Sequence, residues 1–209
     1  MVAALVTAGV VLAGNPTKEK IARTAAGNAQ AKAEVVRQAD LGSEWKGGFK
    51  KPDLSSSLPC TSYRPKQSDL VLIGVAETTF SKLPFAVDSE AQVLRTASMV
   101  QRDWQRTILD SRVIPCLRQG FAKALGSTAK LVSFRRVAFP RAAKLTRAFR
   151  AVFDVKTQVG PVPVEIDFIA FGSGRNELAL TLSGPAAAKA EIHATGVRLA
   201  RLLAGRLRP

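Results

Sequence analysis

The 209 residues of this chain are enough for one domain with its own core, because a chain of this size buries roughly 70% of the surface that it exposes when unfolded. Hydrophobic residues make up 46% and charged residues 22%, an ordinary globular balance and not that of a disordered chain. The net charge of +15 favours an anionic partner, such as nucleic acid, anionic lipid or an acidic cell-wall polymer, although a solvated basic surface would give the same total.

The first residues of the sequence are almost wholly apolar and carry no charge between Val2 and Ala13. A helix needs about 20 such residues to cross a bilayer, so this stretch is too short for a secure anchor. It fits the apolar region of a signal peptide, although the basic leader is missing. We therefore expect a signal-like segment at residues 1–14 and a single α+β domain at residues 15–209. The alternative is an N-terminal segment that is frayed or that packs against the core.

The next part of the chain predicts a helix, a loop and a strand. The helix covers residues 17–39 and has a narrow stripe of alanines, and Gly42 can end it in the left-handed conformation. The loop continues to about residue 66 and is rich in proline and serine. Residues 68–80 are β-branched and nearly all apolar, which indicates a strand inside a sheet.

A pair of helices is predicted to follow. Ser89 and Gln92 have the spacing of a capping box, in which Ser89 caps the first free amides of a helix. Apolar residues then recur every three or four positions, which predicts a helix from about residue 89 to 108. Pro115 and Cys116 open a second, shorter helix. The apolar stripe consists of Val93, Ala97, Val100, Trp104 and Ile108.

The two cysteines, Cys60 and Cys116, lie in the loop and in the second helix of this pair. A signal-like start implies a compartment that permits disulfides, so we expect the two to be bonded, with two buried thiols as the alternative. Such a bond would stabilise the fold by roughly 4 kcal/mol in the chain-entropy model. The sequence has no CxxC motif and no cluster of cysteine and histidine, so we predict no metal site.

After Gly126 the hydrophobic pattern changes to period two, which predicts four strands joined by short antiparallel turns. One face of these strands is strongly apolar, while the other is mixed and needs cover from a helix. Pro185 opens a last helix. The predicted order is α–β–αα–ββββ–α, an α+β fold with an antiparallel sheet of about five strands and helices packed on both faces. The four strands are residues 131–139, 145–156, 162–171 and 176–183.

No catalytic set emerges from the sequence. The only histidine, His193, is expected to face solvent, and a nucleophilic serine would need it as a base. Residues 172–175 read Gly-Ser-Gly-Arg and begin like a phosphate-binding loop, but they lie between two strands and fit a hairpin turn better. We therefore expect no catalytic residue, no enzymatic activity and no cofactor.

Three carboxylates on adjacent predicted strands are expected to point to the same outer face of the sheet. They belong to Asp154, Glu165 and Asp167. They are conceivable as an acid–base pair, but we favour salt bridges across the strands to Arg150 and Arg136.

Basic side chains concentrate on the hairpin formed by the first two of these strands. Arginine suits bidentate binding of phosphate or carboxylate, so Arg135, Arg136, Arg147 and Arg150 are the candidate anion-binding residues. Their partner would be an anionic ligand or a polymer of the cell envelope. The phenylalanines that interleave with them would be stacking platforms in a protein that binds single-stranded nucleic acid, but we favour a core role. These rings belong to Phe134, Phe139 and Phe149.

Taken in order, these elements resemble small exported proteins and sensor-like domains of actinobacteria. The resemblance rests on Ala39-Asp40-Leu41-Gly42, Cys60, Ser68-Asp69-Leu70-Val71-Leu72, the helix from Ser89 to Ile108, and Cys116. Similar chains include the extracytoplasmic sensor domain of mycobacterial receptor kinases and lipoprotein-like relatives of the PsbP-like fold. The resemblance covers about residues 17–207 and implies a ligand-sensing or carrier module. The kinase sensor domains carry two disulfides, whereas this chain can form one.

We therefore expect a secreted, extracytoplasmic and non-catalytic ligand-binding or sensor-like module that uses a cleft between sheet and helices and meets membranes at most peripherally. The alternative is a basic cytoplasmic protein that binds nucleic acid, which would show a steep salt dependence of binding.

Overall fold

A computed structural model describes residues 19–54, 62–125 and 127–207. The signal-like segment at residues 1–14 and Cys60 lie outside these ranges. The strands are β1 (Lys20–Ile21), β2 (Lys46–Lys50), β3 (Val71–Lys82), β4 (Phe85–Leu94), β5 (Ala129–Val137), β6 (Leu145–Thr157), β7 (Gly160–Ser173) and β8 (Asn176–Pro185). The α-helices are α1 (Ala25–Glu34), α2 (Gln38–Leu41), α3 (Ala97–Trp104), α4 (Val113–Leu125) and α5 (Lys189–Ala204). A π-helical segment, Gln105–Leu109, continues α3, and a 3-10 turn, Ala186–Ala188, precedes α5.

All eight strands belong to one sheet, in the order β1-β3-β4-β8-β7-β6-β5, with β2 also paired to β3. Neighbouring strands are antiparallel except β1 and β3, which are parallel. The α+β class is therefore confirmed, and the prediction of about five strands is too low. The additional strands are β1, β2 and β4. Because β1 and β2 have only two and five residues, they are too short to show a hydrophobic period.

The predicted helix start at Ser89 is wrong, because this residue lies in the middle of β4. Its hydroxyl group lies 2.7 Å from that of Thr78 on β3 and accepts a 2.9 Å hydrogen bond from the backbone amide of Val36. These partners are distant in sequence, so the capping pattern at Ser89 reflects composition and not a helix end. The helix begins at Ala97, and the hydroxyl of Thr96 caps it.

Helices cover the two faces of the sheet over different strands. On one face, which we call the α1/α5 face, these helices pack on Leu178, Leu180 and Leu182 of β8. On the other, the α4 face, α4 and the end of α3 pack on β6 and β7. Since Phe168 of β7 stands opposite Thr181, its side chain is on the other face from the β8 leucines. The prediction of a single strongly apolar face is therefore wrong, because each face is apolar over different strands.

Aromatic rings fill the core under α4. Phe121 of α4 lies 5.5–5.7 Å, between ring centroids, from Phe134, Phe153 and Phe168. Phe134 and Phe149 stack on each other at 5.8 Å and are only 1% and 3% exposed, so the predicted core role is confirmed for both. Such ring pairs contribute about 0.5–1.5 kcal/mol each beyond the area that they bury.

The first helix is shorter than the predicted range of residues 17–39, since α1 ends at Glu34 and α2 is a separate turn. Its start lies directly against β3. A Cβ atom on Gly74 would lie 2.1 Å from the backbone of Gly27, so the two backbones touch where any larger side chain would collide. This contact fixes α1 on the α1/α5 face of the sheet.

Candidate functional site

A cavity of about 80 Å³ lies on the α4 face, between strands β4 and β8 and the helical segment formed by α3 and its π-helical continuation. One part of its wall is apolar, with the side chains of Leu70, Leu72, Leu94, Trp104 and Ile108. The other part is polar, with Gln67, Glu90, Gln92, Asp103 and Glu177. This combination of an apolar wall with a few converging polar groups is typical of small-molecule sites.

The pleat of the sheet explains why three of the polar groups point the same way. Gln92 of β4 stands opposite Glu177 of β8, and Glu90 stands opposite Ala179 in the same register. Alternation along each strand therefore places Glu90, Gln92 and Glu177 on the α4 face, while Ala91 and Leu178 face α1 and α5.

The helical wall carries the fourth polar group, Asp103, in the last turn of α3. The wider π-helical turn follows directly, and such turns occur frequently at functional sites. Within it, the Thr107 hydroxyl group donates a 3.0 Å hydrogen bond to the carbonyl oxygen of Asp103. Trp104 and Ile108 are buried on the same wall, which holds the aspartate against the sheet.

The polar side chains are linked to one another by hydrogen bonds. Gln92 Nε2 donates to Glu90 Oε1 at 2.7 Å, and Gln67 Nε2 lies 3.4 Å from Asp103 Oδ1. The carboxyl groups of Asp103 and Glu177 are within hydrogen-bond reach of each other, so a proton on one of them can bridge the pair. In the ionised form of the carboxyl groups, two acceptor atoms of this set, Gln67 Oε1 and Glu177 Oε1, are buried without a hydrogen-bond partner among the described residues. A buried acceptor of this kind costs about 1–3 kcal/mol unless a donor reaches it.

The carboxyl groups of the cavity are hard to ionise. Burial raises the pKa of Glu90 to about 7, against the opposing effect of the hydrogen bond from Gln92. Burial and the neighbouring Asp103 raise the pKa of Glu177 well above its usual value, and burial also raises the pKa of Asp103. Two carboxyl groups in hydrogen-bond contact cannot both ionise easily, so the pair holds its last proton more tightly than an isolated carboxyl group does.

The two basic groups whose charges act on Asp103 and Glu90, Arg106 and Lys50, are bound to other acids. The described residues that line the cavity include no lysine, arginine or histidine. Arg106 lies in the π-helical segment, three positions after Asp103, and donates two hydrogen bonds to Asp69, at 2.8 and 3.2 Å. Lys50, whose charge acts on Glu90, forms a salt bridge with Glu77, with 2.7 Å between Nζ and Oε1. The described lining of the cavity is therefore rich in acceptors and holds no cationic side chain, in a protein that is basic overall.

The four arginines predicted to bind an anion are divided between the two faces of the sheet. Arg135 stands opposite Arg150, and this pair lies on the α1/α5 face. Arg136 stands opposite Phe149 and Arg147 opposite Ala170, so both lie on the α4 face. The four side chains therefore do not converge on one site, and anion binding by either pair stays a prediction.

The salt bridge predicted between the strand carboxylates and Arg150 is confirmed. Arg150 donates to both oxygens of Asp167, at 2.7 and 2.9 Å, and lies 3.1 Å from Glu165. Both carboxylates are buried. The predicted bridge to Arg136 is wrong, because Arg136 lies on the opposite face, and Asp154 stands beside Lys130 instead.

Two further sequence predictions concern short motifs. Residues 172–175 form the end of β7 and its turn into β8, where Gly174 adopts a positive φ of 56°, so the hairpin interpretation is confirmed. His193 is half-buried instead of facing solvent, because its ring contacts Phe139 edge to face at 5.7 Å.

The predicted disulfide partner Cys116 is buried on α4, with 1% of its surface exposed. Its Sγ atom lies 3.7 Å from the carbonyl oxygen of Tyr63, a residue only three positions after Cys60. Because Cys60 lies outside the described residues, the bond stays a prediction, and this close approach of the two chain segments is consistent with it.

The sequence reasoning missed the carboxyl groups of the cavity. The period-two alternation of β4, with Val87, Ala91 and Val93 buried, could have revealed Glu90 as a strand residue on the opposite face. No local signal links Asp103 to Glu177, because the two meet only when α3 packs on the sheet.

Within the described ranges, no group of three or more histidine, cysteine, aspartate or glutamate side chains is arranged to hold a metal ion. No helix of the described ranges is long and apolar enough to cross a membrane. Comparisons with family models, curated proteins and solved structures find no match to this chain.

Proposed function

We propose that this chain is a non-catalytic ligand-binding module that holds a small molecule in the cavity between the sheet and α3. The observation that carries the proposal is the pair of buried acceptor atoms, Gln67 Oε1 and Glu177 Oε1, which have no partner among the described residues and lie in a cavity that also has an apolar wall. Buried polar groups are almost always hydrogen-bonded in folded proteins, so two such atoms in one cavity favour a donor supplied by a ligand.

Binding is favoured over catalysis by the groups that line the cavity. The pair formed by Asp103 and Glu177 shares a proton, as acid–base pairs in enzymes do. However, the one hydroxyl group in the described lining belongs to Thr107, and it donates to a backbone carbonyl oxygen. The described lining therefore offers no activated hydroxyl or thiol nucleophile.

The proposal includes an extracytoplasmic location and a sensor or carrier role, which the resemblance to sensor-like domains supports. The approach of Cys116 to Tyr63 also supports it, because a disulfide would require an oxidising compartment. In the alternative, a protein that binds single-stranded nucleic acid, aromatic rings should be available for stacking. Phe134 and Phe149 are buried instead, which favours the binding module.

A cavity-filling variant tests the proposed function. Ala179→Leu places a larger side chain at the cavity wall, and Ala194→Leu makes the same change at an exposed position of α5. Thermal unfolding is measured with a large excess of each of three probes, butylammonium, 1-butanol and butyrate, because the rise in Tm grows with the ratio of ligand concentration to dissociation constant. We expect at least one probe to raise the Tm of the wild type and of Ala194→Leu but not that of Ala179→Leu.

Two results would overturn this proposal. One is the absence of any Tm increase with all three probes. The other is an increase that persists unchanged in Ala179→Leu. In addition, a single-stranded oligonucleotide that binds with a steep salt dependence would favour the nucleic-acid alternative.

A further inference from the structure

We propose that the ligand of this cavity is a small organic ammonium ion, whose N–H groups reach Gln67 Oε1 and Glu177 Oε1 while its carbon chain lies against the leucine side chains. This inference rests on the proposed function and names the chemical class of its ligand.

The first argument is the kind of hydrogen-bonding atom that the cavity offers. The side-chain amides of Gln67 and Gln92 already donate, to Asp103 and Glu90. When the carboxyl groups are ionised, as they would be around a bound cation, the buried unpartnered atoms in the described lining are both acceptors. A ligand must therefore supply donors, and an ammonium group supplies three donors and no acceptor.

The second argument is charge. Glu90, Asp103 and Glu177 lie on facing walls of one small cavity. Glu90 and Glu177 are diagonal neighbours in the β4–β8 register, which places them about 7–8 Å apart at the backbone. A cation between these groups would interact with more than one carboxylate, and it would do so in surroundings of low dielectric constant.

The third argument is that the two cations whose charges act on Glu90 and Asp103 are already paired with other acids. Arg106 is held by Asp69 in a two-point contact, and Lys50 is held by Glu77. Burial of carboxyl groups without a base favours their protonated forms, so protons now neutralise the site. An ammonium ion would replace that neutralisation, and binding would release protons to the solvent.

The charged groups around the cavity carboxyls have opposing effects on the pKa values of these carboxyls. Near Glu90, Glu77 and Glu19 favour the protonated form and Lys50 favours the ionised form. Near Asp103, Glu19 favours the protonated form and Arg106 favours the ionised form. These charged groups are present both with and without the ligand. Any proton release measured on binding is therefore caused by the charge of the bound cation.

The apolar wall distinguishes an organic cation from a metal ion. Leu70, Leu72 and Leu94 contribute hydrocarbon surface that a metal ion could not use. Among the described residues, no set of three or more acidic, histidine or cysteine ligands is arranged around a common point. A short alkyl chain fits beside the leucines, and each buried CH₂ group adds about 0.8 kcal/mol of hydrophobic stabilisation.

Isothermal titration calorimetry of the full chain tests the inference, with butylammonium, the neutral isostere 1-butanol and the anion butyrate as probes. We expect butylammonium to bind about tenfold or more tightly than 1-butanol, because hydrogen bonds to charged groups are the stronger ones. Titrations at pH 7 in phosphate and in MOPS, neither of which is a primary ammonium ion, should give different enthalpies for butylammonium, since the two buffers take up the released protons with different heats. Butanol should give equal enthalpies in both.

Glu177→Gln provides the matched variant, because it keeps the size of the side chain and removes its charge. It should lose most of the preference for butylammonium over 1-butanol, while Glu191→Gln, a change at an exposed glutamate of α5, should retain it. Retained binding of 1-butanol by Glu177→Gln shows that the variant is folded.

The outcomes separate the inference from the proposed function. If 1-butanol or butyrate binds in the cavity as tightly as butylammonium, the ammonium inference is overturned and the binding module stands. If butylammonium binds without proton release, or equally well to Glu177→Gln, the inference is overturned as well. If no probe binds the wild type, both proposals fail.

Discussion

Replacing Glu90 by glutamine should reduce the loss of stability that the folded chain shows as the pH rises. The pKa of Glu90 is about 7 in the folded chain, against an ordinary value of 4.5, and its burial in the cavity is the main cause. Because the folded chain binds this proton more tightly than the unfolded chain, the free energy of unfolding falls as the pH rises from about 4.5 through about 7. The contribution of Glu90 is therefore fully present at acidic pH and lost in weakly alkaline solution.

The magnitude follows from the two pKa values. Each tenfold change in proton affinity is worth about 1.4 kcal/mol, so Glu90 alone should lower the free energy of unfolding by roughly 2.5 kcal/mol between pH 5 and pH 8. In Glu90→Gln, the amide oxygen can still accept the hydrogen bond from Gln92, but nothing titrates at this position. We compare the free energy of unfolding of Glu90→Gln with that of the wild type at each pH. This difference should shift in favour of the variant by about 2–3 kcal/mol between pH 5 and pH 8.

Urea denaturation at pH 5 and at pH 8, followed by circular dichroism, measures this difference. Glu191→Gln on the exposed side of α5 is the control and should follow the pH profile of the wild type. If Glu90→Gln loses as much stability between the two pH values as the wild type does, then Glu90 is not a buried carboxyl group. The described environment of the cavity would then be incorrect.

Three further predictions concern the fold. Arg150→Met should lower the free energy of unfolding by about 3–5 kcal/mol in urea denaturation, because it leaves Asp167 buried and unpaired, and a smaller loss would show that water reaches this carboxylate. Gly74→Ala should lower the free energy of unfolding by at least about 2 kcal/mol, since its Cβ would lie 2.1 Å from the α1 backbone. Gly48→Ala has open space around the new Cβ and should lower it far less. Equal losses in the two variants would contradict the contact between Gly74 and α1. If the two cysteines are bonded, a reductant should lower the Tm by on the order of 10 °C, and an unchanged Tm would refute the bond.

The strands after residue 126 could be predicted from the sequence because their folding pattern is local. In each of them, apolar and polar residues alternate, and short turns rich in glycine or proline separate them. The observed limits of β5, β6, β7 and β8 all lie within two residues of the predicted ones. An antiparallel meander needs no other information, since each strand pairs with its neighbour in the sequence.

The region around β4 could not be predicted in the same way, because two local patterns conflict there. Ser89 and Gln92 match a helix cap, while the residues around them alternate as in a strand. Partners that are remote in the sequence decide between the two patterns. The backbone amide of Val36 and the hydroxyl of Thr78 satisfy the Ser89 side chain, and neither is visible from the residues next to it.

The candidate site depends on the same region and was missed for the same reason. A helix starting at residue 89 would have separated Glu90 from β8, whereas strand β4 places it beside Glu177 on one face. The contact of Asp103 with Glu177 needs a second long-range event, the docking of α3 on the sheet. Local patterns did identify the salt bridge of Arg150, since Asp167 stands directly opposite it on the adjacent strand.

The most direct test of the cavity as the binding site is a titration followed by ¹H–¹⁵N NMR, with butylammonium added to the ¹⁵N-labelled chain. The account predicts that the amide signals of Glu90, Asp103 and Glu177 move together and saturate at one common affinity. Signals that move only along the arginine-bearing strand β5, or a spectrum that does not change, would contradict it.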